Sequence, residues 1–319
     1  RLVVDPGAEQ GPREFQAGQR RAGRQRRVDR PPAAVAAVDA YAEVDAVVAG
    51  PQATLEAGPV EGRRQGRAQL EDPPQRPGVV DAYVVVAGLD SDPVFGREAA
   101  QTAKVLARRF DAVGRTIVLA AGNGAGDATI PDGSPANLEV ALGAIAAKMD
   151  LKEDVLILYT TSHGAPEVGL AYRDGDHGYG WIGPRRLADL LNGAGISRRL
   201  VMLSACFSGE MLPYLVNDSS VVVTAADRDQ TSFGCAPGND WTFFGDALIN
   251  TALRTPQPFD IAIAQAFDLI RHWEISKRLQ PSRPQFYTGS AAYLWLQALE
   301  KRMPADATAK VGRPAIGGR

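Results

Sequence analysis

Apolar runs of strand length alternate with longer amphipathic segments from Val79 onward. The run from 79 to 88 is rich in valine and ends in glycine, which is typical of a buried strand. Comparable runs follow at 115–120, 155–161, 200–205 and 221–225. Apolar residues three or four positions apart predict helices at 96–110, 135–149, 184–192, 241–253 and 258–277. Because strands and helices alternate, we expect an α/β fold with a mostly parallel sheet and helices on both faces.

A predicted hairpin interrupts this alternation between 168 and 182. Two short β-prone stretches there flank Asp174-Gly175, a dipeptide that favours a tight hairpin turn. The insertion follows the third strand at its carboxyl end, which is where open α/β sheets bind ligands. We therefore expect the hairpin to lie beside the functional site.

The segment 1–78 differs from the rest of the chain. It is rich in Arg, Pro, Gly and Ala, it contains no Lys, and it has a basic run between 13 and 30. Such a sequence buries too little apolar surface to offset its chain entropy, so we expect disorder, or upstream DNA read in the wrong frame. An RNA-binding arm is the functional alternative, although aromatic residues are sparse. We expect a single domain at 79–303 and a polar tail at 304–319.

Composition excludes several classes of protein. The 319 residues carry a net charge of −2, so no global basic field predicts a nucleic-acid partner. No apolar run reaches the roughly 18 residues of a membrane span. The two cysteines, Cys206 and Cys235, exclude a disulfide scaffold and a multi-cysteine zinc site. We expect a soluble protein of bacterial type, periplasmic or secreted if an export signal precedes Arg1; the oligomeric state is not predicted.

Two polar clusters carry no cofactor or metal prediction. The Gly-rich loop 122–126 lacks the spacing of a phosphate-binding loop, although a nucleotide-binding α/β protein is one alternative function. Asp174, Asp176 and His177 fit neither a calcium loop nor a tetrahedral zinc set, so we expect a turn with solvated carboxylates. We expect no cofactor and no metal.

The candidate chemistry lies just beyond two predicted strands. His163-Gly164 follows the third strand, and Cys206 follows the fourth. If these strands are neighbours, an imidazole and a thiol meet at one edge of the sheet. A nearby imidazole and a helix starting at Ser208 would both favour the thiolate. The N–H groups of Gly164 and Cys206 could form an oxyanion hole, and the small Ser204 leaves room for a peptide substrate.

Each residue alone has an ordinary structural explanation. A single cysteine at a strand end is usually a small buried hydrophobe, and a histidine after a strand is usually a loop residue. Together, the His-Gly and Ala-Cys strand ends predict a cysteine–histidine hydrolase. A binding module with an inert Cys206 remains an alternative, and so does a bond between Cys206 and Cys235, which would exclude peptidase activity.

Several short motifs resemble the legumain-type cysteine peptidases, the C13 family of the caspase-like clan. They are Ser162-His163-Gly164, the run from Ser204 to Met211, the strand Val222–Ala226, Thr231–Cys235 and Asp240-Trp241. The resemblance implies a caspase-like three-layer αβα sandwich with a mostly parallel sheet and an inserted β-hairpin. It also implies a cysteine endopeptidase that acts on peptides or proteins, or a transpeptidase using the same site.

The resemblance assigns roles residue by residue. His163 corresponds to the general base and Cys206 to the nucleophile. Ser232 and Asp240, with an arginine for which Arg97 is the nearest candidate, correspond to the pocket for the residue before the scissile bond. Legumains carry Glu directly after the catalytic Cys, whereas this chain has Phe207. The missing carboxylate puts a preference for asparagine in doubt, and Asp, a basic residue or a small residue are the alternatives.

Overall fold

The computed structural model describes residues 75–120, 130–173 and 178–316. All of them lie in one compact unit, Gly58–Arg319. Nearly all of the segment 1–78, the Gly-rich loop 122–126 and the trio Asp174, Asp176 and His177 lie outside the described residues. Within the described ranges, no helix combines the length and apolar content needed to cross a bilayer.

The described strands form two sheets. In chain order they are β1 (Ala82–Gly88), β2 (Thr116–Ala120), β3 (Val155–Thr161), β4 (Gly164–Ala165), β5 (Gly169–Arg173), β6 (Tyr179–Ile182), β7 (Arg199–Ser204), β8 (Ser220–Thr224) and β9 (Gln285–Thr288). The main sheet has the order β2-β1-β3-β7-β8-β9, and β4-β5-β6 form a small second sheet. Every pair in the main sheet is parallel except β8 with β9. The predicted mostly parallel sheet is confirmed.

In the part of the chain that the structure describes, six α-helices connect or flank these strands. They are α1 (Pro93–Arg109), α2 (Pro135–Ala146), α3 (Pro184–Gly193), α4 (Leu212–Leu215), α5 (Phe259–Lys277) and α6 (Ala292–Glu300). A π-helix at Gly245–Thr251 and 3₁₀ turns at Ser208–Met211 and Ala252–Arg254 complete the described helical elements. The first three α-helices begin with proline, whose fixed φ suits the first helical turn.

The helices cover both faces of the main sheet. Alternate side chains of β3 and its neighbours point to opposite sides, because the side-chain period of a strand is two residues. Ile157 packs in a core with α1 and α5, whereas Leu158 packs in a second core with α2 and α3. The three layers of helix, sheet and helix that we expected are therefore present.

The small sheet contains the predicted hairpin. β5 and β6 pair antiparallel, with Leu170 opposite Ile182. Its third strand, β4, follows β3 almost at once, and the N–H of Ala171 donates to the carbonyl of His163 over 3.0 Å. The hairpin thus fixes the backbone of the strand end that carries the histidine.

The sequence did not predict three features near the end of the described chain. β9 is a short edge strand of the main sheet, and α6 follows it. The third is the 308–316 strap, which lies in the segment we expected to be a polar tail. The indole N–H of Trp241 donates to the carbonyl of Val311 over 2.8 Å, and the N–H of Ala315 donates to Asp246 over 2.8 Å. These hydrogen bonds attach the strap to Trp241, which precedes the π-helix, and to Asp246, which lies within it.

Candidate active site

The ends of β3 and β7 meet at one edge of the main sheet. Thr161 lies opposite Ser204 in the parallel pair, so His163 and Cys206 each lie two residues beyond the same rung. A Cβ placed on Gly164 would lie 2.1 Å from the carbonyl oxygen of Cys206. Only glycine therefore fits at this position without displacing the backbone. The strands that we expected to be neighbours are adjacent.

The thiol of Cys206 is half-buried under the loop that follows β8. Its Sγ accepts a hydrogen bond from the N–H of Ser232 over 3.3 Å, and its distance to the Ser232 carbonyl oxygen is 3.5 Å. Burial raises the pKa of the Cys206 thiol to about 11, and the hydrogen bond to Ser232 offsets this only in part. We expected a lowered pKa, partly because of a helix beginning at Ser208. That contribution is missing, because Phe207 has a left-handed φ of 57° and a 3₁₀ turn follows it, so no α-helix begins directly behind the sulfur.

His163 is held by two side chains that sequence reasoning did not pair with it. Its Nε2 lies 3.0 Å from Oδ2 of Asp92, and its ring meets Phe95 edge-on with centroids 4.9 Å apart. Burial lowers the pKa of His163, but Cys235 and Asp92 outweigh it and raise the pKa to about 9.

Asp92 was detectable in the sequence as a helix cap. It precedes Pro93 and occupies the N-cap position of α1, where a carboxylate usually accepts a backbone N–H of the first turn. Its side chain makes no such bond and faces His163 instead. The carboxylate at this N-cap position therefore contacts His163 and does not cap the helix.

Replacing Asp92 with Asn is expected to lower the pKa of His163 from about 9 by about one unit, because the ring loses a negative partner that favours its charged form. NMR titration of the imidazole protons measures this directly, and His163→Gln identifies the resonance among the three histidines. Asp268→Asn is the control, since Asp268 is exposed on α5 and pairs with Arg271. An unchanged titration in Asp92→Asn would show that Asp92 does not set the charge of the ring.

The proposed pocket residues divide into two groups. Arg97 and Asp240 form an ion pair, with Nε and Oδ1 separated by 3.0 Å, and Ser232 lies against Cys206. Ser204 does not lie on the substrate surface. It is 2% exposed and its hydroxyl bonds that of Thr242 over 2.9 Å, so a peptide cannot reach it.

A buried carboxylic acid supports the floor of the site. Glu98 accepts hydrogen bonds from the hydroxyl of Tyr159 and from the N–H of Thr242, each over 2.6 Å. Burial raises the pKa of Glu98. Since Thr242 in turn bonds Ser204, this network ties α1 to β3 and β7 directly beneath the strand ends.

Three described residues could offer ligands to a cation. The nearest ligand atoms of Asp90, Asp92 and His163 lie within 4.8 Å of one another. Asp90 already accepts the N–H of Asp92 over 3.0 Å and lies 3.7 Å from the guanidinium of Arg173. The carboxylate of Asp90 therefore has its partners within the protein.

Part of the chain matches a family model, and the chain is also similar to solved structures. Residues 136–284 match the model of the Peptidase C13 family. No curated protein matches the chain. Among solved structures, the chain is similar to caspase-1 from Spodoptera frugiperda, with 14% identity, a TM-score of 0.42, and coverage of 65% of this chain and 85% of the caspase.

Proposed function

We propose that this chain, a cysteine peptidase whose residues 136–284 belong to the Peptidase C13 family, cleaves internal peptide bonds through a thioester on Cys206. The matched range contains His163, Cys206, Ser232 and Asp240. The observation that carries the proposal is the meeting of β3 and β7, which brings a histidine and a cysteine to one sheet edge. The close approach of the Gly164 and Cys206 backbones supports assigning their N–H groups to the oxyanion of the intermediate.

Each step of the proposed reaction is balanced in atoms and protons. Sγ of Cys206 attacks the substrate carbonyl carbon while the thiol proton passes to His163. The tetrahedral intermediate collapses, the C–N bond breaks, and the leaving amine takes the proton from His163. Water then attacks the thioester with His163 accepting a proton, which releases the carboxylic acid and restores the thiol.

The protonation states of the resting site set a requirement on this reaction. The pKa values of Cys206 and His163 are about 11 and about 9, so both groups hold a proton at neutral pH. One proton must leave before the ring can accept the thiol proton. We therefore place the catalytically competent form on the alkaline side of the His163 titration.

Cleavage products and covalent labelling test the proposal together. A reduced and alkylated protein substrate is expected to yield internal cuts, seen by mass spectrometry as paired new termini. A peptidyl acyloxymethyl ketone is expected to label Cys206 at least about tenfold faster than Cys235, because binding places its carbonyl at the attacking sulfur. Release of single residues from the chain ends would exclude an endopeptidase. Labelling of Cys235 alone would show that Cys235, and not Cys206, is the nucleophile.

A further inference from the structure

Asp240 is shared by two arginines from distant parts of the chain. Nε of Arg97 lies 3.0 Å from its Oδ1, and Nη2 of Arg313 donates to the same oxygen over 3.0 Å. The backbone N–H of Arg313 donates to Oδ2 over 2.7 Å. The hydrogen bonds from Arg313 lower the pKa of Asp240, so this carboxylate is ionised at neutral pH.

The arginine cluster, Arg97, Arg313 and Asp240, is connected along the chain to the candidate catalytic residues on two sides. Arg97 follows Asp92 by five positions on α1, a rise of about 7.5 Å, and Asp92 holds His163. On the other side, Ser232 touches the thiol of Cys206, and the same loop continues to Asp240. This loop is braced where the side chain of Asn239 donates to the carbonyl of Gly234 over 2.8 Å.

The strap holds Arg313 in a fixed position. Asn250 bonds both the N–H and the carbonyl of Val311, over 3.0 and 3.1 Å. Gly312 has a φ of 73° and packs against Asp240, where an added Cβ would lie 3.1 Å from the carboxylate. Arg313 therefore belongs to the folded surface around Asp240, although its side chain is 62% exposed.

The charges of the arginine cluster do not balance. Two guanidinium groups share one carboxylate, which leaves one positive charge in excess. The residue after Cys206, where legumains have Glu, is Phe207 and adds no second carboxylate. Arg97 also donates from Nη2 to the carbonyls of Pro237 and Asn239, and Arg313 uses Nε and Nη2 on Asp240, so Nη1 of each guanidinium has no partner among the described hydrogen bonds. Two such donors can form charge-assisted hydrogen bonds to one carboxylate, whereas an amide has no charge to offer and an ammonium is repelled.

We propose that the Cys206 site selects an acidic side chain, Asp or Glu, immediately before the scissile bond, and that Arg97 and Arg313 bind its carboxylate. This inference rests on the proposed function, because it assigns the arginine cluster to the substrate of the Cys206 site. Arg313 is a specificity residue supplied by the strap. The substrate carboxylate balances the excess positive charge, and Asp240 holds the two guanidinium groups in position.

Two assays on the full chain test the inference and separate it from the proposed function. Peptides that differ only in having Asp, Asn or Lys before one bond are compared by kcat/KM. The same peptides, labelled with a fluorophore, are titrated onto the Cys206→Ala variant to measure binding without turnover. We expect the Asp peptide to exceed the Asn peptide by about tenfold or more in both assays, and the Lys peptide to be weakest. The advantage of Asp should shrink as salt increases.

Arg313→Gln is expected to reduce the Asp-to-Asn ratio about tenfold in both assays. Lys310→Gln is the matched control, because Lys310 is also an exposed cation close to Arg313 in the strap and has no contact with Asp240 among the described hydrogen bonds and ion pairs. Cleavage that requires Cys206 but shows no acidic preference would overturn the inference and leave the proposed function intact. Faster cleavage of every peptide by Arg313→Gln would also overturn it, because Arg313 would then be a plug. Arg313-dependent binding of the Asp peptide without turnover would overturn the proposed function alone.

Discussion

Replacing Cys206 with alanine is expected to lower kcat/KM for peptide cleavage by at least about 10,000-fold, as loss of a nucleophile does in other hydrolases. Alanine has no sulfur and cannot form the thioester. The sulfur bonds only the backbone of Ser232 among the described contacts, so the melting temperature should change by only a few degrees. Mass spectrometry of a cleavage time course measures the rate.

Cys235→Ser is the informative comparison for this variant. Cys235 is the thiol that raises the pKa of His163, and both cysteines are free. If Cys206 forms the thioester, the serine variant should stay within about tenfold of the wild type. At neutral pH its rate should rise rather than fall, because losing Cys235 lowers the pKa of His163 and so favours the uncharged ring. Should Cys206→Ala stay active while Cys235→Ser is inactive, the nucleophile is Cys235 and the roles of the two thiols must be exchanged.

Gly164→Ala is expected to reduce kcat/KM by at least about 100-fold, because a displacement of about 1 Å at a catalytic strand end can cost that much. The new methyl group would lie 2.1 Å from the carbonyl oxygen of Cys206 and 3.3 Å from Cβ of Ala205. The two strand ends must move apart, which should also lower the free energy of unfolding by about 1–3 kcal/mol. Steady-state kinetics and urea unfolding report the two effects.

Gly143→Ala provides the matched control for that substitution. Gly143 lies in α2 with nothing within 4 Å of an added Cβ, so alanine should raise the free energy of unfolding by about 0.5–1 kcal/mol. Its peptide cleavage should match the wild type. Full activity in Gly164→Ala would instead mean that the close approach of β3 and β7 is not needed for catalysis.

The central strands were predictable because burial on both faces leaves a clear sequence pattern. β1, β3, β7 and β8 are buried along their whole length, and each contains an uninterrupted apolar stretch of at least three residues. β9 was missed because it has only four residues, all of them half-buried or exposed, at the edge of the sheet. The docking of the strap was also missed, because it depends on hydrogen bonds to Trp241 and Asn250 rather than on apolar periodicity.

The candidate site was predictable only as far as backbone topology determines it. Two strand ends in a parallel sheet must open to the same edge, and from that rule the sequence predicts His163 and Cys206 at one edge of the sheet. The partners of the ring could not be derived, because Asp92 and Cys235 reach it from 71 and 72 positions away along the chain. The raised pKa of Cys206 was also beyond reach, since it depends on how closely the Ser232 loop covers the sulfur.

The attachment of the strap also affects the order in which the protein can mature. Translation proceeds towards the carboxyl terminus, so the ribosome makes residues 308–316 only after the whole main sheet. A nascent chain can therefore assemble its strands and its cysteine–histidine pair while Trp241 and Asn250 still lack their Val311 partner. Arg313 therefore reaches its position beside Asp240 only after the strands that carry His163 and Cys206 have been synthesised.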